Sequence, residues 1–386
     1  MHSIQLLVEI IGFASLALAA SYAVLALIAV LVWQARRAPK NSLRLPPVTV
    51  LKPLCGAEPG LYENLRSFCE QDYPEFQIVF GVGDPADPAL LVVERLVAEF
   101  PAVPIDVVVN PQQHGNNRKI SSLINMLALA RHDVLAMADS DASVGPGYLT
   151  TVTAPLLDRS VGLVTCIYRG VPSQGIWSRL GAMYVNEWYM PSVLLAWLFG
   201  HEGYVSGQTL CLRRDTLQAI GGLRAMANHL ADDYRLGELV RGLGLRIVLS
   251  PYVPEAVHDE PSLDLLTRHE LRWMRTIRVL RPRSFALIFP SFSLPLALFG
   301  IVLATSGTAF PAPGRALFWT TVTARLVLHF VPRLRGNRPL LTDFWLLPVR
   351  DLLICWVWCR SFFTSRVTWR GNVFAVGADG IMRNLP

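Results

Sequence analysis

The fold is decided by residues 134–141, which read VLAMADSD: five apolar residues run directly into two alternate aspartates, Asp139 and Asp141. A short apolar run bounded by polar residues predicts a buried strand. Ligands bind beyond the carboxyl ends of strands in parallel sheets, so acidic residues there indicate a binding site. Alternate carboxylates suit Mg²⁺ or Mn²⁺, which can also hold a diphosphate. Taken alone, the pattern is more typical of loop aspartates that cap helices and close turns.

Strands and helices alternate on both sides of this stretch. Short β-branched runs are separated by helical stretches such as Leu61 to Gln71 and Ser121 to Ala130. The alternation predicts an α/β domain with a largely parallel sheet over residues 46–262. The predicted strands are Val48 to Leu51, Gln77 to Val82, Ile105 to Val109, Val134 to Ala138 and Gly162 to Thr165.

Residues 1–35 predict an N-terminal transmembrane anchor. From Ile4 to Trp33 the chain is almost wholly apolar, interrupted only by Glu9, and the run exceeds the roughly 20 residues that cross a bilayer. A signal peptide is the alternative, but the run is too long and lacks both a basic start and a small-residue cleavage site. Four basic residues follow, so the positive-inside rule places the α/β domain in the cytoplasm. They are Arg36, Arg37, Lys40 and Arg44.

The chain beyond residue 262 is again apolar and rich in arginine. Residues 263–284 predict a basic amphipathic helix at the membrane surface, with an ordinary charged helix face as the alternative. Residues 285–386 predict a C-terminal membrane region with a basic tail. Its segments 285–305 and 316–331 indicate spans, whereas 340–363 carries two adjacent charges and suits a span or a re-entrant segment equally. The arginines that return the chain to the cytoplasmic side are Arg333, Arg335 and Arg338.

The composition favours a membrane protein over a nucleic-acid-binding one. Hydrophobic residues make up 52% of the chain and the mean hydropathy is +0.37. The formal charge is +6, but the arginines crowd beside hydrophobic stretches, where a lipid bilayer with anionic headgroups is the simpler partner, and no nucleic acid is expected. The six cysteines form no CxxC pair, so neither a zinc site nor a disulfide framework is predicted. Only three of the 35 basic residues are lysines, which indicates a GC-rich bacterial genome.

Acidic residues follow predicted strands or begin predicted helices at three places. They are Asp84, the pair Asp139 and Asp141, and Asp233. Followed by Arg272-Trp273, they have the order of a D, D, D, (Q/R)xxRW pattern. Over roughly residues 46–280 the chain resembles the GT-A glycosyltransferases of the family that includes ceramide glucosyltransferase. Further segments that resemble this family are residues 51–54, 71–74, 84–88, 117–119, 161–164 and 232–234.

Residues 177–213 and 268–275 resemble a narrower branch of that family, the bacterial hopanoid biosynthesis-associated glycosyltransferases. That likeness implies bacteriohopanetetrol as the lipid acceptor and N-acetylglucosamine as the sugar. A sphingolipid acceptor with UDP-glucose, as in ceramide glucosyltransferase, is the alternative.

The resemblance implies a GT-A fold, an α/β, Rossmann-like nucleotide-sugar-binding domain with flanking transmembrane helices. Asp84 would bind the nucleotide's base or ribose, and Asp139, with or without Asp141, would hold a divalent cation, Mg²⁺ or Mn²⁺. Asp233 would be the general base that removes the proton of the acceptor hydroxyl. Attack from the face opposite the diphosphate would invert the anomeric centre and give a β-linked product.

Other matched residues have weaker implications. Arg272 would pair with phosphate charge and Trp273 would stack near the acceptor or close the donor site, although an Arg-Trp pair that anchors an interfacial helix is the alternative. Lys119 would contact the donor phosphate, and a solvated lysine at a helix start is the other interpretation. His269 stands where the pattern has Gln or Arg, and Arg268 lies one place earlier, so either His269 replaces that residue or the register of the motif shifts by one. In their glycine-flanked loop, His201 and Glu202 are more typical of a structural pair than of an acceptor site.

The sequence thus predicts a multi-pass enzyme of the bacterial inner membrane that transfers a sugar from a UDP-sugar donor to a membrane lipid. A processive polysaccharide synthase shares the motifs but needs a channel that three or four hydrophobic segments would struggle to supply. A degenerate, non-catalytic membrane scaffold is the alternative from another class, and the intact acidic motifs argue against it.

Overall fold

A computed structural model of the 386-residue chain describes residues 2–36, 45–201, 203–305, 311–331, 343–364, 366–369 and 372–384. The predictions for Arg37, Lys40, Arg44, Glu202, Arg333, Arg335 and Arg338 lie outside the described residues. The chain divides into two compact units. A helical unit comprises Met1–Arg36, Gln174–Phe199 and Glu260–Val373, and a sheet unit comprises Arg37–Ser173, Gly200–Asp259 and Phe374–Pro386.

The elements are numbered along the chain. The α-helices are α1 (His2–Ala35), α2 (Leu61–Cys69), α3 (Ala89–Glu99), α4 (Arg118–Met126), α5 (Tyr148–Thr153), α6 (Gly175–Tyr184), α7 (Met190–Leu198), α8 (Arg214–Ala219), α9 (Asp232–Gly242), α10 (Leu263–Leu280), α11 (Pro282–Ala286), α12 (Ser293–Ala304), α13 (Ala312–Phe330) and α14 (Leu347–Ser361). The strands are β1 (Val48–Pro53), β2 (Phe76–Val82), β3 (Ile105–Val109), β4 (Val134–Met137), β5 (Ala142–Ser143), β6 (Val161–Cys166), β7 (Arg169–Pro172), β8 (Leu210–Arg213), β9 (Arg246–Ser250), β10 (Glu255–His258), β11 (Arg366–Trp369), β12 (Asn372–Val376) and β13 (Met382–Asn384). Short 3-10 turns are Ala154–Leu157, Leu223–Met226, Phe289–Ser291 and Phe344–Leu346, and the π turn Val185–Tyr189 joins α6 to α7.

The sheet unit is built on a seven-stranded sheet in the order β3-β2-β1-β4-β8-β6-β9. β1 to β4 are mutually parallel where they pair, and β6 is parallel to β9, which confirms the predicted, largely parallel sheet. β8 runs antiparallel to both of its neighbours, a feature that the sequence did not predict. The carboxyl ends of β1, β2 and β4 therefore share one edge of the sheet.

Both faces of this sheet are buried, which explains why its strands are nearly continuous apolar runs. In β4, Val134 and Ala136 belong to one core cluster, whereas Leu135 and Met137 belong to the cluster on the opposite face. This is the alternation that a strand imposes on successive side chains. The apolar run ends at Ala138, which belongs to the first cluster, and the chain leaves the sheet directly before Asp139.

A small second sheet, in the order β5-β10-β7, fixes the loop that follows β4. β5 begins directly after Asp141 and pairs antiparallel with β10, with Ala142 opposite Ala256. The backbone N–H of Val257 also donates to the carbonyl oxygen of Asp141 at 3.2 Å. The loop Asp139–Asp141 is therefore held by strands on both sides.

In the helical unit, α1 is the one described helix that is by itself long and apolar enough to cross a membrane, over Ser3–Ala35. It packs on α12 with the backbones in direct contact. A Cβ placed on Gly12 would lie 2.6 Å from the backbone nitrogen of Ala304, and one on Gly300 would lie 2.8 Å from the carbonyl oxygen of Gly12. Small residues that let helices approach this closely are typical of helix pairs in membranes.

The predicted span 285–305 is not one straight helix. The pair Pro282–Ser291 and Ser293–Ala304 is bent by 70°, as in a broken span or a re-entrant loop. Pro290 lies just before the bend, where it removes a backbone donor and disfavours helical geometry in the preceding residue. The other predicted span, 316–331, falls on α13. α14 has 15 residues, or about 22 Å of helix, which is shorter than the hydrocarbon core of a bilayer.

Ion pairs link the helices of this unit internally. Arg325 of α13 donates to both carboxylate oxygens of Asp351 at 2.9 and 2.8 Å, and to Glu187 of the π turn at 3.0 Å. Arg350 donates to the two oxygens of Glu270 on α10 at 2.5 and 2.7 Å. Because these charges are buried, each depends on its partner. The adjacent residues Arg350 and Asp351 therefore join α14 to α10 and α13.

Helix α14 exposes apolar residues while it buries a charged pair. Val349, Leu352 and Trp356 are exposed, whereas Arg350 and Asp351 are buried. Buried charges beside exposed apolar residues are not the pattern of a water-facing amphipathic helix. The six cysteines, all of which the structure describes, are free thiols.

Candidate active site

Strand β4 and helices α4 and α9 meet at a cluster of charged side chains. The ammonium of Lys119, in the first turn of α4, lies 2.6 Å from Asp139 Oδ1 at the carboxyl end of β4. The same ammonium lies 3.4 Å from Oδ2 of Asp232, the first residue of α9. Burial opposes the charge on Lys119, but the two carboxylates outweigh it and raise the pKa of the ammonium. Lys119 is therefore a fixed positive charge rather than a solvated lysine at a helix start.

Gly207 brings the third acidic position to the same place. Its backbone N–H donates to Asp233 Oδ2 at 3.0 Å. A Cβ placed on Gly207 would lie 2.8 Å from Lys119 Nζ and 3.0 Å from Asp139 Oδ2. A side chain at this position would therefore press on both Lys119 and Asp139. The structure thus shows the convergence that spacing in the sequence could not.

The next residue, Gln208, reaches the remaining aspartate. Its Nε2 donates to Asp141 Oδ1 at 3.1 Å. Burial raises the pKa of Asp141 to about 7 and the charge of Asp139 adds to the effect, while the hydrogen bond from Gln208 acts in the opposite direction. Asp141 is thus a carboxylate whose negative charge is poorly compensated by the protein. Such a group favours a cationic partner.

The orientation and the pKa of Asp233 both suit a general base. Its Oδ1 accepts from the backbone N–H of Tyr234 at 2.7 Å, which orients the carboxylate at the start of α9. Burial and the charge of Asp232 raise the pKa of Asp233 to about 6, against the lowering effect of Lys119. A carboxylate with its pKa closer to neutrality accepts a proton more readily.

Lys52 holds the loop Asp139–Asp141 through hydrogen bonds to its backbone. Its side chain is fully buried at the end of β1, where Nζ donates to the carbonyl oxygens of Asp139 at 2.7 Å and Ala142 at 3.3 Å. Burial lowers the pKa of Lys52 to about 7. Residues 51–54 were among the segments that resemble the glycosyltransferase family, but the sequence predicted no role for Lys52. A lysine inside an apolar strand was the signal that could have identified it.

Asn117 fixes the starts of α4 and α9 together. Its Oδ1 caps α4 by accepting from the backbone N–H of Ile120 at 3.0 Å. Its Nδ2 donates to the carbonyl oxygen of His229 at 2.9 Å and to Asp232 Oδ1 at 3.3 Å. One buried side chain thus sets the helix that carries Lys119 against the helix that carries the two acidic residues.

Asp84 follows β2 at the same edge of the sheet. Because β1 lies between β2 and β4, the strand that leads to Asp84 is about 10 Å from the strand that leads to Asp139. Asp84 is exposed, and its Oδ1 accepts from the backbone N–H of Ala86 at 2.9 Å. His201 is exposed in a loop of the sheet unit. Glu202, with which it was predicted to form a pair, lies outside the described residues.

Two carboxylate oxygens at this site could bind a divalent cation whose other ligands come from a substrate. Among the residues that the structure describes, no group of three or more His, Cys, Asp and Glu is arranged to hold a metal ion. Lys119 occupies Oδ1 of Asp139 and Gln208 occupies Oδ1 of Asp141. The remaining oxygen of each is a hard ligand. Mg²⁺ is commonly bound by one or two carboxylates together with phosphates and water.

The basic and aromatic end of the predicted motif lies on α10 in the helical unit. The ring of Trp273 lies 5.2 Å from the ring of Tyr184 and 4.1 Å from that of His269. His269 Nδ1 lies 2.7 Å from Oε1 of the buried Glu260. The guanidinium of Arg272 lies 5.9 Å from the centre of the Trp273 ring. His269 is thus oriented by a carboxylate and packs at a tilt of 48° against the motif's tryptophan.

The family of the chain follows from its sequence as a whole. The sequence profile described as Glycosyl transferase family 21 matches residues 13–382. The chain belongs to glycosyl transferase family 21. This family 21 glycosyltransferase is 23% identical over 349 residues to ceramide glucosyltransferase 1 of Caenorhabditis elegans, covering 88% of this chain and 73% of the relative. It is 31% identical over 130 residues to the ceramide glucosyltransferase of Komagataella phaffii, covering 32% of this chain and 25% of that relative.

A solved structure supports the fold. The mannosyltransferase PcManGT of Pyrobaculum calidifontis, in complex with GDP-Man and Mn²⁺, superposes with a TM-score of 0.56 at 17% identity, covering 92% of this chain and 99% of the other. At this identity the likeness concerns the fold alone. The GT-A prediction for the family 21 enzyme is therefore confirmed.

Proposed function

We propose that this family 21 enzyme transfers a sugar from a UDP-sugar to the hydroxyl group of a membrane lipid, with inversion at the anomeric carbon. The observation that carries the proposal is the convergence of Asp139, Asp141 and Asp233 on the segment Gly207-Gln208. Two of these carboxylates can share a cation with the donor's diphosphate, and the third is a base beside them. A donor and an acceptor can therefore be held in one place.

Asp233 performs the proton transfer. The acceptor hydroxyl oxygen attacks the anomeric carbon while its proton passes to Asp233. The bond from that carbon to the diphosphate breaks as the new bond forms on the opposite face. Gly207 and Tyr234 each donate one backbone hydrogen bond to Asp233, so its carboxylate is oriented before the acceptor arrives.

Positive charge at the site stabilises the departing diphosphate. Lys119 holds its ammonium next to Asp139, within reach of a phosphate bound there. A divalent cation on Asp139 and Asp141 would supply further neutralisation of the diphosphate when bound. Arg272 of α10 is the proposed additional phosphate partner, and Asp84 the partner of the nucleotide's base or ribose.

The lipid acceptor is supported by the relatives and by α1. The Caenorhabditis elegans and Komagataella phaffii relatives are both ceramide glucosyltransferases, and α1 is long and apolar enough to anchor the enzyme in a bilayer. An anchored enzyme meets an acceptor that cannot leave the membrane. We place the enzyme in the bacterial inner membrane as a multi-pass protein with its sheet unit on the cytoplasmic side.

Two acceptors follow from different observations. The segment 177–213 resembles the hopanoid-associated branch and supports transfer of N-acetylglucosamine to bacteriohopanetetrol. The ceramide glucosyltransferase relatives favour a sphingolipid acceptor with UDP-glucose instead. The proposed chemistry is the same in both cases, and only the sugar and the lipid differ.

The test uses membranes that contain the full chain, Mg²⁺ and labelled UDP-N-acetylglucosamine or UDP-glucose, with lipid products identified by mass. Asp233→Asn should abolish transfer because the base is lost. Asp133→Asn is the matched control, since the Asp133 side chain is 97% exposed and lies 3.9 Å from its ionic partner Arg214. It should transfer at the wild-type rate.

The products decide between the acceptors. N-acetylglucosaminyl bacteriohopanetetrol that depends on Asp233 supports the hopanoid proposal, whereas a glucosylated sphingolipid supports the ceramide proposal. Absence of any Asp233-dependent lipid product with either donor, in acceptor-replete membranes with folded protein, would refute both.

A further inference from the structure

The last described segment of the chain forms a closed hairpin in the sheet unit. β12 and β13 pair antiparallel, with Val376 opposite Met382. The turn between them is closed by a hydrogen bond from Gly377 N–H to the Ile381 carbonyl oxygen at 3.2 Å. Gly380 has a φ of +76°, a conformation that favours glycine. This C-terminal hairpin, residues 374–384, therefore has a defined shape of its own.

The hairpin docks on a loop through its backbone. Gly380 accepts from the backbone N–H of Leu230 at 3.1 Å, and the N–H of Met382 donates to the carbonyl oxygen of Asn228 at 2.8 Å. The side chain of Met382 is 1% exposed. The loop 227–231 leads directly into Asp232 and Asp233, so the hairpin contacts the segment immediately before the candidate base.

The same hairpin also holds a second loop. Asn116 Nδ2 donates to the carbonyl oxygen of Met382 at 2.8 Å. The backbone N–H of Asn116 donates in turn to Asn228 Oδ1 at 3.0 Å. A Cβ placed on Gly115 would lie 2.4 Å from the carbonyl oxygen of Ala227, so the two loops are in backbone contact. The hairpin lies against both.

These two loops begin the two helices of the active site. The segment 115–117 precedes Lys119, and 227–231 precedes Asp232 and Asp233. Asn117 joins them, because it caps α4 and donates to Asp232. A displacement of either loop would therefore move Lys119 relative to the carboxylates. A misplacement of about 1 Å at a catalytic group can lower a rate by about 100-fold.

We propose that the C-terminal hairpin is a positioning element of the active site. It clamps the loops 115–117 and 227–231 together, so that the ammonium of Lys119 and the carboxylates at the start of α9 keep their separation. The hairpin does not touch a reacting atom. Its effect on transfer rests on the proposed function, whereas its effect on the two loops does not.

Two variants test this, each with a matched control. One removes residues 377–386, and its control removes the last two residues only. The other is Asn116→Ala, which deletes the side-chain donor to Met382. Its control is Gln113→Ala, in the same loop, because Gln113 is exposed and its described hydrogen bond is to the nearby Pro111 at 3.4 Å. Transfer rates are measured as kcat and donor KM per folded molecule, and hydrogen exchange is followed at backbone amides.

We expect the truncation to lower kcat by about 10- to 100-fold, and Asn116→Ala by about 3- to 10-fold, with both controls unchanged. Exchange should accelerate in 116–123 and 227–236 but not in β1 or β4. A support that only stabilised the fold would lower the melting temperature and leave kcat per folded molecule intact.

The outcomes remain separable from the proposed function. If the wild type transfers no sugar to lipid, unchanged exchange in both loops overturns the positioning role and faster exchange supports it. If the truncated chain does not fold, Asn116→Ala decides. Wild-type kcat and wild-type exchange in that variant would overturn the proposal.

Discussion

Replacing Gly207 with alanine should separate the ammonium of Lys119 from the carboxylate of Asp139 while leaving the sheet unit folded. The added Cβ would lie 2.8 Å from Lys119 Nζ and 3.0 Å from Asp139 Oδ2. Carbon is normally about 3.5 Å or more from such atoms. The backbone of Gly207 has a negative φ or is extended, so alanine fits its conformation.

The size of the effect follows from what must move. Lys119 Nζ has to shift by about 0.7 Å, and as the end of a flexible side chain it can do so with little strain. The shift weakens the 2.6 Å ion pair with Asp139. A hydrogen bond to a charged group contributes about 1.5–3 kcal/mol. If that contribution is expressed in the transition state, transfer should slow by about 10- to 150-fold.

The assay is sugar transfer to lipid with kcat and donor KM measured separately, together with the melting temperature in detergent. Gly147→Ala is the control, since a Cβ there meets nothing within 4 Å and the φ of −89° suits alanine. Gly207→Ala should melt within a few degrees of the wild type. A variant that melts normally and transfers at the wild-type rate would refute the assignment of Lys119 and Asp139 to the donor site.

Two further predictions concern ionisable groups. Burial and Asp232 raise the pKa of Asp233 to about 6; since the base must be ionised, kcat/KM should fall about tenfold per unit as pH drops below about 6, and a profile that stays flat down to pH 4 would contradict this role. In the helical unit, Arg350→Met should destabilise the fold by about 3–5 kcal/mol because it leaves Glu270 buried and unpaired. Arg350→Met with Glu270→Gln should recover most of the melting temperature, and equal losses in both proteins would contradict the argument.

The sheet was predictable because its strands are buried on both faces and therefore read as apolar runs. The position of Asp139 followed from the same pattern, since the apolar residues of β4 stop just before it. The antiparallel β8 was not predictable, because the direction of a strand depends on the distant partners with which it pairs.

The sequence predicted those residues of the candidate site that belong to a local pattern, and no others. Asp139, Asp141 and Asp233 were identified from the order of acidic residues, but Gly207 had no local signal. Its role arises from where three distant segments meet. Hydropathy predicted the segment 285–305 as a span but not its bend at Phe292, because hydropathy measures composition and not backbone geometry.

The boundaries of the two units were not predictable from the sequence either. Gln174–Phe199 belongs with the helical unit although it lies within the predicted catalytic segment, and Phe374–Pro386 belongs with the sheet unit although it lies in the predicted membrane region. Both depend on long-range packing rather than on composition.

Helix α14 has two buried charges beside exposed apolar residues. Procedures that orient a helix by turning its charged residues to the surface would place Arg350 and Asp351 outside and Val349, Leu352 and Trp356 inside. In a saturation scan, the two charged positions should therefore behave as core positions that reject apolar residues, while the three apolar positions exchange freely among leucine, valine and aromatic residues.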